Sequence, residues 1–430
     1  MKILIKIIVI GFFSFSALGA KSQTIYSLIR PDTIHLTIDS VETVFLHKNL
    51  LLLAERYNID SQKALVIQAK LFPNPTFNIS TPIYQTATKK FLPIGGTGEI
   101  SAGISQVILL ANKHNKQVKI ANINTALAEY QFYDLLRTLK HTLRLDFFNI
   151  HYLLKSAKVY NTEIAALQQV SNVFSQQKNK GYVSEKEAIR IKAQLYSLES
   201  EYNDLQNQIN DLQSEMRLLL QMHNVVIVPQ VDTAAIAALN PTAYPISILI
   251  DSAYAARPDL KMAKLNLNLS TQNYDLQKAM AVPDLTLQFG YDQQGSYINN
   301  LTTVGISMDL PFLDRNQGNI KSSKALIKSS QASLEAMRAG VEEQIYNALQ
   351  KAIDNDQLIK SRDIKFEHDF SKLLAGVLKN YQERNISLLD FLDFYDSYKE
   401  NAVQDNTLKF NRVSSFENLN FYTGVDFFNK

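Results

Sequence analysis

The sequence predicts a mainly α-helical protein with a small β part, arranged as two copies of one half. Three observations carry this expectation. Long stretches contain neither Pro nor Gly and are rich in Ala, Leu, Gln, Lys and Glu, which favour helix. Four segments alternate apolar with small or polar residues at a period of two, as strands with unlike faces do. Short motifs also recur in one order at offsets of 210, 202 and 203. Phe72-Pro73-Asn74-Pro75-Thr76 returns as Val282-Pro283-Asp284-Leu285-Thr286, and Gly103-Ile104-Ser105 as Gly305-Ile306-Ser307. Tyr182-Val183-Ser184 returns more loosely as Asn385-Ile386-Ser387. A unit that long is no solenoid repeat; it reads as a large structural half.

Composition narrows the chemistry. The 430 residues contain no Cys, which excludes disulfides, thiolate metal sites and a Cys nucleophile. His35, His47, His114, His141, His151, His223 and His368 show no metal-ligand spacing, so no metal site and no cofactor is expected. Ser184 has no His/Asp partner pattern, Gly95-Gly96-x-Gly98 falls in a loop, and Glu342/Glu343 read as helix-surface charges. An enzyme is not expected. With 44 basic against 41 acidic residues, the strong excess of a nucleic-acid binder is missing.

Residues 1–22 read as a secretory signal peptide. Lys2 and Lys6 precede a short apolar run (Ile7 to Phe13), followed by small residues at Ala17, Gly19, Ala20 and Ser22. Its removal, with Lys2, Lys6 and Lys21, leaves 41 basic and 41 acidic residues. The neck has no Cys to carry a lipid.

The first half then spans 23–222. A helix is expected over 36–71, with Leu46, Leu50, Leu53 and Tyr57 on one face, until Pro73 and Pro75 stop it. A hairpin follows over 76–110, in which Phe77, Ile79, Thr81 and Ile83 alternate with Asn78 and Ser80. Residues 113–179 form one helix, roughly 100 Å long at 1.5 Å per residue. Ser184 with Glu185 and Glu187 signals the start of the next helix, 184–222. In it Ala188, Ile191, Leu195, Leu198, Tyr202, Leu205, Ile209, Leu212, Met216 and Leu219 keep a 3-4 spacing, a coiled-coil seam. Residues 223–245, with Pro229, Pro241 and Pro245, read as a short-helix-and-loop link. The second half, 246–430, repeats the plan with a hairpin over 284–311 and helices over 319–380 and 387–413. In the last helix Phe391, Phe394 and Tyr398 fit a seam, whereas Asn401 and Asp405 do not.

Strands of about ten residues are long enough to cross a bilayer when tilted, yet two hairpins cannot close a barrel. Either they form a small soluble sheet or several chains share one barrel.

Taken together, these features resemble the TolC-like outer-membrane efflux proteins. The resemblance covers nearly the whole mature chain. Leu310-Pro311-Phe312-Leu313-Asp314-Arg315-Asn316-Gln317-Gly318-Asn319 is similar to the strand-to-helix junction of the cobalt–zinc–cadmium (heavy-metal) branch. The resemblance implies a homotrimer in the Gram-negative outer membrane, with a shared twelve-stranded β-barrel on a periplasmic α-helical barrel. It implies a passive exit duct served by a periplasmic adaptor protein and an inner-membrane pump, most simply of the RND type. The same duct could instead serve type I protein or peptide secretion, and a periplasmic coiled-coil scaffold is a third option.

Site residues follow from it. Asp390 and Asp393, one turn apart, match aspartates that ring the closed periplasmic entrance in the family; they also suit a helix N-terminus without any pore. The turns holding Gly181 and Ser184, and Arg384 and Ser387, resemble the tips that meet the adaptor, and equally read as serine-capped helix turns. Phe77, Tyr84, Phe91, Tyr291 and Tyr297 stand where an aromatic girdle in contact with outer-membrane lipid would lie.

Overall fold

The computed structural model of the chain describes residues 32–428, apart from 87–88, 94–97, 181, 295–297, 363–371, 374–375, 378, 382 and 384. The expected signal peptide over 1–22 lies outside the described residues, as do Gly181, Tyr297, His368 and Arg384.

Strand β1 (Asp32–Thr37) opens the described chain and pairs in parallel with β6 (Val225–Gln230). The link after 222 is therefore part strand, a correction to the short-helix-and-loop expectation. Gln213 extends this edge, donating from Nε2 to the Ile227 carbonyl at 2.6 Å and accepting the Ile227 N–H at 3.0 Å.

Helices α1 (Ile38–Lys48) and α2 (Leu50–Ala69) replace the single helix expected over 36–71. Asn49 makes the break: at φ −65° and ψ 121° it leaves the helical region, and its side chain accepts the N–H groups of Leu51 and Leu52. The expected apolar face is corrected too. Leu46, Leu50, Leu53 and Tyr57 are exposed, while Val41, Phe45 and Leu52 reach a core with Leu143, Phe147 and Leu220.

Strands β2 (Thr76–Ser80) and β5 (Ser101–Ile108) make the first hairpin, with a two-residue pair β3 (Tyr84–Gln85) and β4 (Lys90–Phe91) between them. The long helix α3 (Lys113–Asn179) follows, then α4 (Glu185–Leu220). Of the ten seam residues of α4, eight are buried, and Tyr202 and Leu212 are half-buried. After β6 come α5 (Thr233–Ala237), a 3-10 turn at Pro241–Ala243, α6 (Ile246–Ala256) and α7 (Pro258–Met280). The second hairpin is β7 (Leu285–Gln294) with β8 (Asn299–Met308).

Helix α8 (Gln317–Lys360) ends in a C-cap at Ser361, so the uninterrupted helix expected over 319–380 is not formed. The last helix, α9 (Leu388–Thr423), runs ten residues beyond the expected end at 413 and stops where Gly424 turns to φ 69°. Its buried line is Leu388, Phe391, Tyr395, Lys399 and Asn406 rather than Phe394 and Tyr398. The polar members are paired: Lys399 with Glu201 at 2.9 Å, and Asn406 with Ser156 at 3.1 Å.

Helix α3 is the spine, packing against α2, α4, α7 and α9, while α8 lies on α7 and α9. The sheet has the antiparallel order β2-β5-β7-β8, so the β5–β7 pairing joins the two hairpins and leaves β2 and β8 as open edges.

Candidate functional site

The sheet has two unlike faces, and the register shows how sharply they differ. Phe77 pairs with Ile104, Ile104 with Phe289 and Phe289 with Val304, so one apolar row crosses all four strands. Ile108, Leu285 and Met308 form a second row on the same face. Tyr291, paired with Ala102 and Thr302, lies beyond the first row toward the hairpin turns. On the other face Asn78, Gly103, Gly290 and Thr303 align, as do Ser105, Gln288 and Gly305.

A sheet in water hides its apolar face against a core. Here that face is open, with Phe77 68% and Val304 79% exposed. On the polar face, glycines make room for the side chains of paired strands. A Cβ on Gly103 would stand 2.5 Å from Asn78 Oδ1, and one on Gly290 would stand 2.8 Å from Thr303 Oγ1. Apolar-out and polar-in is the pattern of a barrel wall in lipid.

Helices leave the sheet through two matching junctions. Asn112 (φ 60°, ψ 28°) and Asn316 (φ 57°, ψ 22°) are the N-cap residues of α3 and α8, both left-handed, which Asn tolerates well. Asn115 donates to Asn112 Oδ1 at 2.5 Å, and Asn319 to Asn316 Oδ1 at 2.6 Å. The Asn-x-x-Asn repeat at an offset of 204 was present in the sequence and would have located these junctions. Lys113 pins α3 to the second hairpin, bonding Asp284 at 2.6 Å and the Val282 carbonyl at 2.7 Å.

At the far end, Ser184 and Ser387 start α4 and α9 with equivalent capping boxes. Ser184 Oγ accepts the Glu187 N–H at 3.3 Å and Ser387 Oγ the Asp390 N–H at 3.2 Å. Asp390 is thus the counterpart of Glu187. Asp393 is exposed one turn on. Beneath them Tyr381 stacks between Phe174 (5.6 Å) and Phe391 (4.4 Å), fixing α9 against α3.

About three turns along α9 from Ser387, Lys399 Nζ lies 2.9 Å from Glu201 and 3.7 Å from Asp396. Glu163 of α3 faces the same group, 2% exposed, with Oε1 lacking a hydrogen-bond partner among the described residues. Burial pushes the Glu163 carboxyl up to about 8; Lys399 opposes this, and Asp396 and Glu201 add to it. No helix among the described residues is long and apolar enough to cross a membrane, and no His, Asp or Glu group there is gathered as a metal requires.

Residues 249–362, from α6 to the end of α8, match the family model described as outer membrane efflux protein. That segment, 249–362, is thus similar to outer membrane efflux proteins. Over nearly its whole length the fold is similar to that of solved outer-membrane channels. The Campylobacter jejuni CmeC outer membrane channel superposes with a TM-score of 0.73 at 14% identity, covering 91% of this chain and 86% of that one. The Vibrio cholerae outer membrane protein VceC gives 0.71 at 14%, covering 91% and 96%. The open-state MtrE channel of Neisseria gonorrhoeae gives 0.68 at 14%, covering 90% and 89%. No curated relative matches the chain.

Proposed function

We propose that this TolC-like chain forms a homotrimer serving as the exit duct of a tripartite efflux system. Each protomer contributes β2, β5, β7 and β8 to one twelve-stranded barrel, and its helices to a periplasmic tunnel. The carrying observation is the exposed apolar row Phe77, Ile104, Phe289 and Val304, which needs lipid, together with two open strand edges, which lipid forbids. Strand β8 of one copy paired with β2 of the next satisfies both. The chain is read as two repeats, 23–222 and 246–430, joined by the 223–245 link, and the paired Asn112/Asn316 junctions support this.

The tips around Ser184 and Ser387 meet a periplasmic adaptor, which couples the duct to an inner-membrane pump of the RND type. Asp390 and Asp393 from three copies narrow the closed entrance. The Leu310–Asn319 junction supports a place in the heavy-metal branch.

The native chain has no Cys, so introduced pairs report cleanly. Cysteines placed on the β2 and β8 edges crosslink to a three-step ladder in outer membranes, and the purified protein conducts in planar bilayers. A chain that stays uncrosslinked, sediments as a monomer and does not conduct would sink the proposal.

A further inference from the structure

The polar face of the sheet is nearly uncharged. Among the described residues of β2, β5, β7 and β8, Asp292 is the only charged one. It pairs in register with Ser101, which pairs with Ser80, so it shares its face with Gly290, Gln288 and Asn78, opposite Phe289 and Tyr291. It stands at the hairpin-turn end of β7, far from the helices that begin at Asn112 and Asn316. Its Oδ1 accepts the Gln294 N–H at 3.1 Å, and Ser80 Oγ lies 2.7 Å from Ser101 Oγ beside it.

We infer that Asp292 sets the charge preference of the outer mouth, where one copy per protomer forms a ring of carboxylates that favours cationic cargo. This rests on the shared-barrel reading above. A twelve-stranded barrel tilted by about 40° is about 24 Å across between backbones, so a wall charge lies about 10 Å from the axis. The Debye length is about 30 Å at 0.01 M salt and about 8 Å at 0.15 M. The ring therefore commands the whole lumen at low salt and only the layer near the wall at physiological salt. No other charge lies on these strand faces, while Lys89, Lys90 and Glu99 stand in the segment between β2 and β5 at the same end, and charged rings are how pores sort ions by sign.

The competing role is a turn residue that only accepts the Gln294 N–H. Asp292→Asn separates the two, because the amide keeps an acceptor oxygen and removes the charge. Permeability ratios for K+ over Cl− are measured in planar bilayers, with low salt first on the hairpin-turn side and then on the helix side. With about 20 mM KCl on the turn side, Asp292→Asn lowers the ratio about twofold and Asp292→Lys reverses the preference, while 1 M KCl abolishes the difference. Low salt on the helix side alone leaves wild type and variants alike, which separates this ring from Asp390 and Asp393. A conducting wild type whose turn-side ratio is unchanged in both variants overturns this inference alone. A wild type that does not conduct overturns the barrel reading with it.

Discussion

Ser387 and Asp390 hold each other at the start of α9: the Ser387 hydroxyl donates to the Asp390 carboxylate at 2.7 Å, and Ser387 Oγ accepts the Asp390 N–H at 3.2 Å. Asp390 is therefore committed locally, whereas exposed Asp393 is not. Asp390→Ala should cost about 1 kcal/mol of stability through the lost cap, and Asp393→Ala close to nothing. If both ring the entrance, the double alanine variant raises single-channel conductance and weakens cation block. Unchanged conductance would leave Asp390 a cap alone.

The carboxyl of Glu163 gives a pH dependence with a definite sign. Its folded value of about 8, set first by burial and then by Lys399, Asp396 and Glu201, lies above that of an unfolded glutamate. The folded state then keeps a proton that the unfolded chain releases. The stability this provides is full below about pH 4.5 and is lost as pH rises through about 8. Asp146, raised to about 7 by burial and then Glu215, acts in the same sense. The melting temperature should fall between pH 5 and pH 9, and Glu163→Gln should flatten that fall. An equal slope in the variant refutes the assignment.

Arg412 ties α9 to α8 and to the segment around α5. It bonds Asp356 at 2.8 Å and the carbonyls of Ile236 and Leu239 at 2.8 and 2.7 Å, with both charged side chains buried. Arg412→Leu leaves Asp356 with Lys360 alone, 2.7 Å away, and frees those carbonyls, at a cost of about 1–3 kcal/mol. Double replacement with Asp356→Leu should recover much of it. Thermal unfolding of the purified variants checks both.

Neighbouring residues of β7 report which face meets lipid. Phe289→Lys should destabilise the assembled protein by about 2–4 kcal/mol, as a charge near the bilayer midplane does. Gln288→Lys, on the polar face, should assemble normally. Comparable losses at both positions, read from the heat-stability of the oligomer on gels, would contradict the assignment of faces.

The α4 seam was legible because strict 3-4 spacing admits little else, and the faces of the second hairpin because Leu285, Leu287, Phe289 and Tyr291 alternate without interruption. The β1–β6 pairing was not. Its strands stand far apart in the chain, and parallel pairing leaves no local turn signal. The break at Asn49 was hidden by the leucines on either side, although an N-cap asparagine within a helical run is a readable signal. Leu46, Leu50 and Leu53 misled because they point away from the protomer's own core. At the tips, the serine caps could be read directly. Asp292 could not, because one acid in a polar alternation becomes singular only when four strands are aligned.

The two open edges also dictate how copies can meet. In β2 the chain runs away from the helices, and in β8 it runs back toward them. Antiparallel pairing of β2 with a second β2, or of β8 with a second β8, would throw the two helical bodies to opposite ends of the sheet. Only β8 against β2 keeps them on one side. In the proposed barrel the contact is thus heterologous, each copy offering its tail to the head of the next. Such a contact closes into a ring or runs on as an open arc, so in the proposed barrel a chain carrying a faulty β2 can still cap a growing arc but never complete it.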